Sequence, residues 1–241
     1  MRLLVVGGAG YVGSILRPIL EGNHSCRYFD LKPVPGAGER CIVGDVNDDV
    51  VVAQAMREPV DALVWLAMGT RHGFQDGSEH ELDHAFQVNV RGLYRVLSAA
   101  AAAGVRRYVH AGSMSVHARL CDPACFPITE ASPDDAWEPY GMSKRIGEFI
   151  GRALVERHPD ATFLSLRLMW PRNDEDWPGH EFRPGKSFYA LGPNDLRRLF
   201  VAALAFERPG FHAVQASGDL GGDAFPNARV ADLLGWQPEG R

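Results

Sequence analysis

Cysteine is scarce in this chain of 241 residues: there are 4, at positions 26, 41, 121 and 125. No C-x-x-C pair joins them, so the pattern argues for reduced thiols and against a disulfide framework or a zinc knuckle. No apolar run approaches the roughly 18 residues that a membrane span needs. Met1 leads straight into a strand-like run, with no basic-then-apolar leader ahead of it. Basic residues never run beyond the pairs Arg106-Arg107 and Arg197-Arg198, and the net charge is -5, which is poor footing for nucleic acid or an anionic membrane. The expectation is a soluble, cytoplasmic protein whose partners include neither. Internal repeats are absent too, and the only biased segment is the alanine run 99–103, a good helix interior.

What is present is a regular alternation. With 46% hydrophobic residues the chain has material for one substantial core. Short runs rich in Val, Ile and Leu alternate with helical patterns, which is how parallel strands and crossover helices read. The pattern predicts strands over Arg2–Val6, Ser25–Phe29, Arg40–Val43, Ala62–Leu66, Tyr108–Ala111, Thr162–Leu168 and His212–Ala216. Helices are predicted from Tyr11 to about Gly22, over Leu82–Ala103 with Gly104 as terminator, over Pro139–Glu156, over Asn194–Glu207, and in a short piece ending at Leu234. From Pro171 to Ala190 the periodicity gives way to a Pro-, Gly- and charge-rich stretch, the kind of long loop that usually carries function. The expected fold is α/β: a Rossmann-type, doubly wound parallel sheet over residues 1–170, with residues 171–241 a small substrate-binding portion integrated with it.

Two constellations carry chemistry. Gly7, Gly10 and Gly13 form G-x-x-G-x-x-G directly after a strand and at the opening of a helix, where backbone amides approach a pyrophosphate. Tyr11 and Val12, inside that motif, join the expected cofactor cradle. Asp30 ends the second strand, where an acid accepts hydrogen bonds from the adenosine ribose. A carboxylate there repels a 2′-phosphate and Leu31 offers no guanidinium to hold one, so the expected cofactor is NAD rather than NADP. Asp45 and Val46, after the third strand, are candidate adenine contacts.

Tyr140 and Lys144 make a Y-x-x-x-K pair, and a spacing of four puts both on one helix face. The ammonium is expected to lower the phenol pKa towards neutrality, so that Tyr140 can take a proton from an alcohol as hydride leaves. Ser113 ends a strand at the carboxyl edge of the sheet, placed to hold the substrate oxygen.

These pieces, VVGGAGYVG, FDL, GDV, LVWLAM, NVRGLYRVLSAAAAAGVRRYVHAGS, YGMSK and LLGWQP, resemble the extended short-chain dehydrogenase/reductases, the NAD-dependent epimerase/dehydratase family, over nearly the whole chain. The resemblance implies that Asn89 orients the active-site helices, that Leu66, Ala67 and Met68 line the NAD cleft, and that Pro171 lies near the nicotinamide. It also implies a homodimer through the two long helices. Nucleotide-sugar dehydratases of this family carry Asp-Glu after the catalytic Ser or Thr, where this chain has Met114-Ser115, which argues against dehydration. The layout is similar to that of uronate dehydrogenases. On that likeness Met68, Ser113, Met114, Ser115 and Arg183 are candidate substrate contacts, with Arg183 able to pair a carboxylate bidentately. The expected function is hydride transfer between NAD and an alcohol or carbonyl of a small sugar-like substrate. The alternatives are an NAD-retaining sugar epimerase, a biosynthetic ketoreductase and a non-catalytic NAD-binding regulator.

One motif points elsewhere. His80-Glu81-Leu82-Asp83-His84 is a literal H-E-x-x-H, the zinc-protease helix signature. Its extended form fails, because Gln87 and Val90 stand where Gly and His should be, and no carboxylate lies between His84 and Asp122 to complete a zinc site. No metal is expected.

Overall fold

The computed structural model describes residues 1–69, 79–177 and 189–240, except the side chains of 79–81. Seven strands form one all-parallel sheet: β1 (Arg2–Val6), β2 (Ser25–Asp30), β3 (Cys41–Val43), β4 (Ala62–Trp65), β5 (Arg107–Ser113), β6 (Thr162–Leu168) and β7 (Gly210–Ala216), in the spatial order β3-β2-β1-β4-β5-β6-β7. The order reverses between β1 and β4, so the carboxyl ends of these two strands open a crevice suited to a dinucleotide. Val, Leu and Phe on both faces of the strands demand cover on both sides. On one face, α1 (Tyr11–Asn23), α6 (Pro193–Ala205) and α7 (Ala228–Leu234) bury Leu16, Leu20, Leu199, Phe200 and Val230 against Val5, Val64 and Leu166. On the other, α2 (Asp49–Ala55), α4 (Leu93–Ala102) and α5 (Pro139–Arg157) cover Val6, Phe29, Trp65, Tyr108 and Phe163.

Two elements depart from expectation. The predicted helix 82–103 is α3 (Glu79–Phe86) joined to α4 by a π-helical segment, Gln87–Gly92. Asn89 sits in that segment, and such widened turns re-aim a side chain within a helix. Helix α2 was not anticipated, because D-V-V-V-A-Q-A has a β-branched run of weak helix propensity. It forms because Asp48 caps it, accepting from the Val50 and Val51 amides, and because Val52 and Ala55 are buried.

A smaller apolar cluster, Met114, Leu120, Ile128, Met169, Ala224 and Phe225 with Phe126 and Tyr189 against it, lies outside the two main core layers. It binds the segments that follow β5, β6 and β7 into one lobe. Among the described residues no helix is long and apolar enough to cross a membrane.

Candidate active site

The cofactor end is built by close backbone packing. Gly7 has φ 89, and a Cβ there would collide with the backbone of Leu66 and Ala67 at the end of β4. A Cβ at Gly13 would likewise strike the Gly8 backbone, so α1 sits tight against the turn that opens it. Gly10 is the N-cap of α1 and has no side chain to cap it, which leaves the first-turn amides to a ligand. Asp30 Oδ2 accepts from the Ala9 amide at 2.8 Å and Oδ1 from Lys32 at 3.1 Å, so the acid is locked beside the glycine turn at the end of β2. This cradle fits NAD: tight turns, bare amides and a carboxylate beside them are the groups a dinucleotide site needs.

The remaining predicted cofactor residues fall into three groups. Leu66 is buried, Ala67 half-buried and Met68 exposed, so the run emerges from β4 towards the crevice. Val46 is buried against Gly92, while Asp45 Oδ1 accepts from the Asn47 amide and holds its own turn. Val12 is half-buried against the core, whereas Tyr11 points to the loop after β6. Its hydroxyl donates to Asp176 and accepts from the Asn173 amide, both at 2.9 Å. Tyr11, Trp170, Pro171, Arg172 and Asp176 line a recess of about 400 Å³. Trp170 has φ 41, a left-handed conformation that is strained for a bulky residue.

The catalytic end gathers Ser113, Tyr140 and Lys144 at the carboxyl end of β5. Tyr140 and Lys144 lie one turn apart on the buried face of α5, with the Lys144 ammonium 5.6 Å from the phenol ring centre. Lys144 Nζ donates to the Ala111 carbonyl at 2.9 Å. Ser113 Oγ accepts from the Ser115 amide at 3.1 Å and shares a hydrogen bond with Tyr140. Asn89 ties the site to the neighbouring loop: its Oδ1 accepts from the Gly69 amide and its Nδ2 donates to Ser143 Oγ, each at 2.9 Å.

The expected charge state of Tyr140 needs correction. Burial pushes its phenol up to about 12, the Ser113 hydrogen bond pulls it down, and the Glu138 carboxylate pushes it up again. Burial outweighs the neighbouring Lys144 ammonium, which the same burial lowers to about 8 against a smaller upward pull from Glu148. Without cofactor and substrate, Tyr140 is a protonated acid.

Of the candidate substrate residues, Ser113 and Ser115 adjoin each other, while Met114 is buried in the lobe cluster and supports the site from behind. Arg183 lies outside the described residues, as do the side chains of His80 and Glu81. No group of three His, Cys, Asp or Glu residues suited to a metal occurs among the described residues.

Sequence reasoning missed three features beneath the site. Glu138 caps α5, its carboxylate accepting from the Tyr140 amide at 2.8 Å and the Gly141 amide at 2.5 Å. Glu148, one turn beyond Lys144, accepts two bonds from the buried Arg167 of β6, at 2.9 and 2.7 Å, and one from Ser165 at 3.1 Å. His110, on β5, bonds Ser165, and burial beside Lys144 holds it well below the usual histidine range. An arginine inside an otherwise apolar strand, and a glutamate continuing the Tyr-Lys face of a helix, were the available signals.

The family model for the NAD dependent epimerase/dehydratase family matches residues 3–171. The chain is 28% identical over 70% of its length to an L-arabinose 1-dehydrogenase (NAD(P)(+)) of Haloferax volcanii and 30% identical over 69% to a uronate dehydrogenase of Pseudomonas putida. The matches span 66% and 60% of those relatives, less than two thirds of either. In fold it is similar to a short-chain dehydrogenase/reductase superfamily protein from Agrobacterium tumefaciens solved with bound NAD, with TM-score 0.78, 23% identity, and 99% of this chain and 93% of that one covered. With the glycine turn, the acid at the end of β2 and the Ser-Tyr-Lys cluster all in place on this sheet, the chain belongs to the NAD-dependent epimerase/dehydratase family.

Proposed function

We propose that the protein is an NAD-dependent oxidoreductase that interconverts an alcohol and a carbonyl on a small sugar-like substrate, a sugar or sugar acid. The carrying observation is the Ser113-Tyr140-Lys144 cluster, buried together at the carboxyl edge of the sheet beside the dinucleotide crevice. NAD, when bound, supplies hydride chemistry at its nicotinamide ring. Gly7, Gly10 and Gly13 would hold its pyrophosphate and Asp30 its adenosine ribose, with Leu66, Ala67 and Met68 along the crevice and Pro171 near the nicotinamide. Ser113 holds the reacting oxygen, Tyr140 moves its proton, and Lys144 supports that transfer. Met68, Ser113 and Ser115 are the proposed substrate contacts, with the lobe formed after β5, β6 and β7 closing the site. The uronate and L-arabinose dehydrogenase relatives favour a substrate oxidised at a sugar carbon.

The working form is a cytoplasmic homodimer, paired through α4 and α5. Support comes from Tyr94 and Phe149, large apolar side chains that these helices leave exposed, and from four cysteines that are all free.

The test is to mix purified protein with NAD and follow NADH absorbance across uronic acids, neutral sugars and simple secondary alcohols. Reduction of NAD with one substrate class, abolished in Tyr140→Phe while NAD affinity holds, is the expected result. Silence with NAD across the panel, but oxidation of NADH with the matching carbonyls, points to a biosynthetic reductase; silence in both directions with the cofactor bound overturns the reading in favour of a cofactor-retaining epimerase. Turnover by Tyr140→Phe removes the proposed role of the phenol.

A further inference from the structure

The N-terminus of α5 carries an unusual cap. Ser, Thr, Asp and Asn are the common N-cap residues, but here Glu138 folds back over its own helix, placing one carboxylate oxygen on the amide of Tyr140 and the other on the amide of Gly141. The fit is built in: a Cβ at position 141 would collide with Glu138 Oε1 and with the Ser115 carbonyl, so only glycine admits the carboxylate there. The amides it occupies are the positive end of the helix that presents the phenol. Left open, that end would favour tyrosinate. Filled by an anion bonded to the backbone of Tyr140 itself, it favours the neutral phenol.

No other group near the phenol reverses this. From β5, Ser113 offers only a hydroxyl, and His110 is held neutral by burial. From α5, the Lys144 ammonium lies 5.6 Å from the ring centre and favours the phenolate, but burial disfavours its charge and it donates to the Ala111 carbonyl. Glu148, further along the same face, is compensated by Arg167 of β6, which also bonds Asp134 in the segment before α5. Asn89, from the π-helical segment, is uncharged and bonds Ser143.

We propose that Glu138 is a positioning residue that keeps Tyr140 protonated, so that at neutral pH the site is set to donate a proton and favours reduction of a carbonyl substrate by NADH. The inference rests on the oxidoreductase reading and refines it by giving its kinetic direction. In that step the carbonyl carbon accepts a hydride as NADH is oxidised to NAD, the carbonyl oxygen takes the Tyr140 proton, and the phenolate is reprotonated from solvent. Oxidation of an alcohol needs the phenolate instead, and so gains rate as pH rises towards the Tyr140 pKa.

The experiment titrates Tyr140 with and without chemistry. Ultraviolet difference absorbance of tyrosinate, taken between the protein and its Tyr140→Phe variant, reports ionisation without any substrate. Glu138→Gln should lower the midpoint by about 0.5 to 1 pH unit and raise alcohol oxidation at neutral pH by about 3- to 10-fold, as loss of one nearby helix-end charge implies. Glu138→Asp, which keeps the charge, should stay near the parent. Glu138→Ser, a neutral residue that caps well, repeats the test if the glutamine variant folds poorly. A gain in oxidation is what lost packing alone cannot produce. An unmoved midpoint in folded neutral variants overturns the inference even if turnover is normal. A shifted midpoint in a protein that turns over no substrate sustains the hold of Glu138 on Tyr140 while removing the oxidoreductase reading and the direction drawn from it.

Discussion

Replacing Arg167 by Met tests how α5 is held. The guanidinium is 2% exposed and bonds both oxygens of Glu148, itself 4% exposed, while its third bond goes to Asp134 at 2.7 Å. Methionine fills part of the volume but leaves the buried Glu148 without its guanidinium, with the Ser165 hydroxyl as its remaining side-chain donor among the described residues. Breaking a buried pair from one side costs about 3–5 kcal/mol. Against a total stability of about 5–15 kcal/mol for a typical domain, that is about a fifth at the least. The cost has a pH signature: the ionised carboxylate is the form that burial without a partner penalises, and protonation removes that charge. Urea unfolding of Arg167→Met should therefore show the largest deficit near neutral pH and a smaller one under mildly acidic conditions. Adding Glu148→Leu should recover part of the loss, since the buried carboxylate is then no longer left alone, while Lys144 loses the upward pull of Glu148. A single variant that loses less than about 1 kcal/mol, or whose deficit is flat with pH, would refute the argument that this pair is a desolvated, mutually dependent unit.

Three further outcomes follow from the geometry. Gly7→Ala forces a side chain into a left-handed conformation against the backbone of Ala67; it should cost about 2–4 kcal/mol in urea unfolding and abolish measurable NAD binding by calorimetry. Asn89→Ala removes a bridge between the Gly69 amide and Ser143; the stranded amide predicts a Tm lower by about 4–8 °C in a thermal melt. Lys144 titrates at about 8 when folded against about 10.4 unfolded. The unfolded chain holds the extra proton in that window, so the parent should gain stability relative to Lys144→Met as pH rises from 8 to 10, by up to about 3 kcal/mol. A difference that shrinks or stays flat over that range would show that the ammonium is not desolvated.

The strands and most helices were legible in the sequence because hydrophobic periodicity reports burial, and burial follows backbone geometry. β1 and β6 match their predicted bounds, and the glycine turn stands where a strand gives way to a helix. Helix α2 was hidden because its signal is a cap rather than a periodicity. The π-helical turn at Asn89 was hidden because one widened turn barely disturbs an apolar pattern spread over 82–103. Tyr11 was read as part of the cofactor cradle, yet its hydroxyl holds Asn173 and Asp176, more than 150 positions away. Nothing near Tyr11 in sequence carries that information.

By itself, the sequence settled the kind of sheet, the place of the glycine turn and the shared helix face of Tyr140 and Lys144. All of these depend on spacing within a single strand, turn or helix, and such spacing is written directly in residue order. Only the tertiary structure decided the charge states. Whether Tyr140 is an acid or a base depends on how deeply it is buried and on which charges stand a few ångströms away, and desolvation and Coulomb energy are set by distances in space. Those distances run from Glu138 to the amide of Tyr140, from Lys144 to Ala111 and from Glu148 to Arg167, and the last two exist only because strands β5 and β6 lie beneath helix α5.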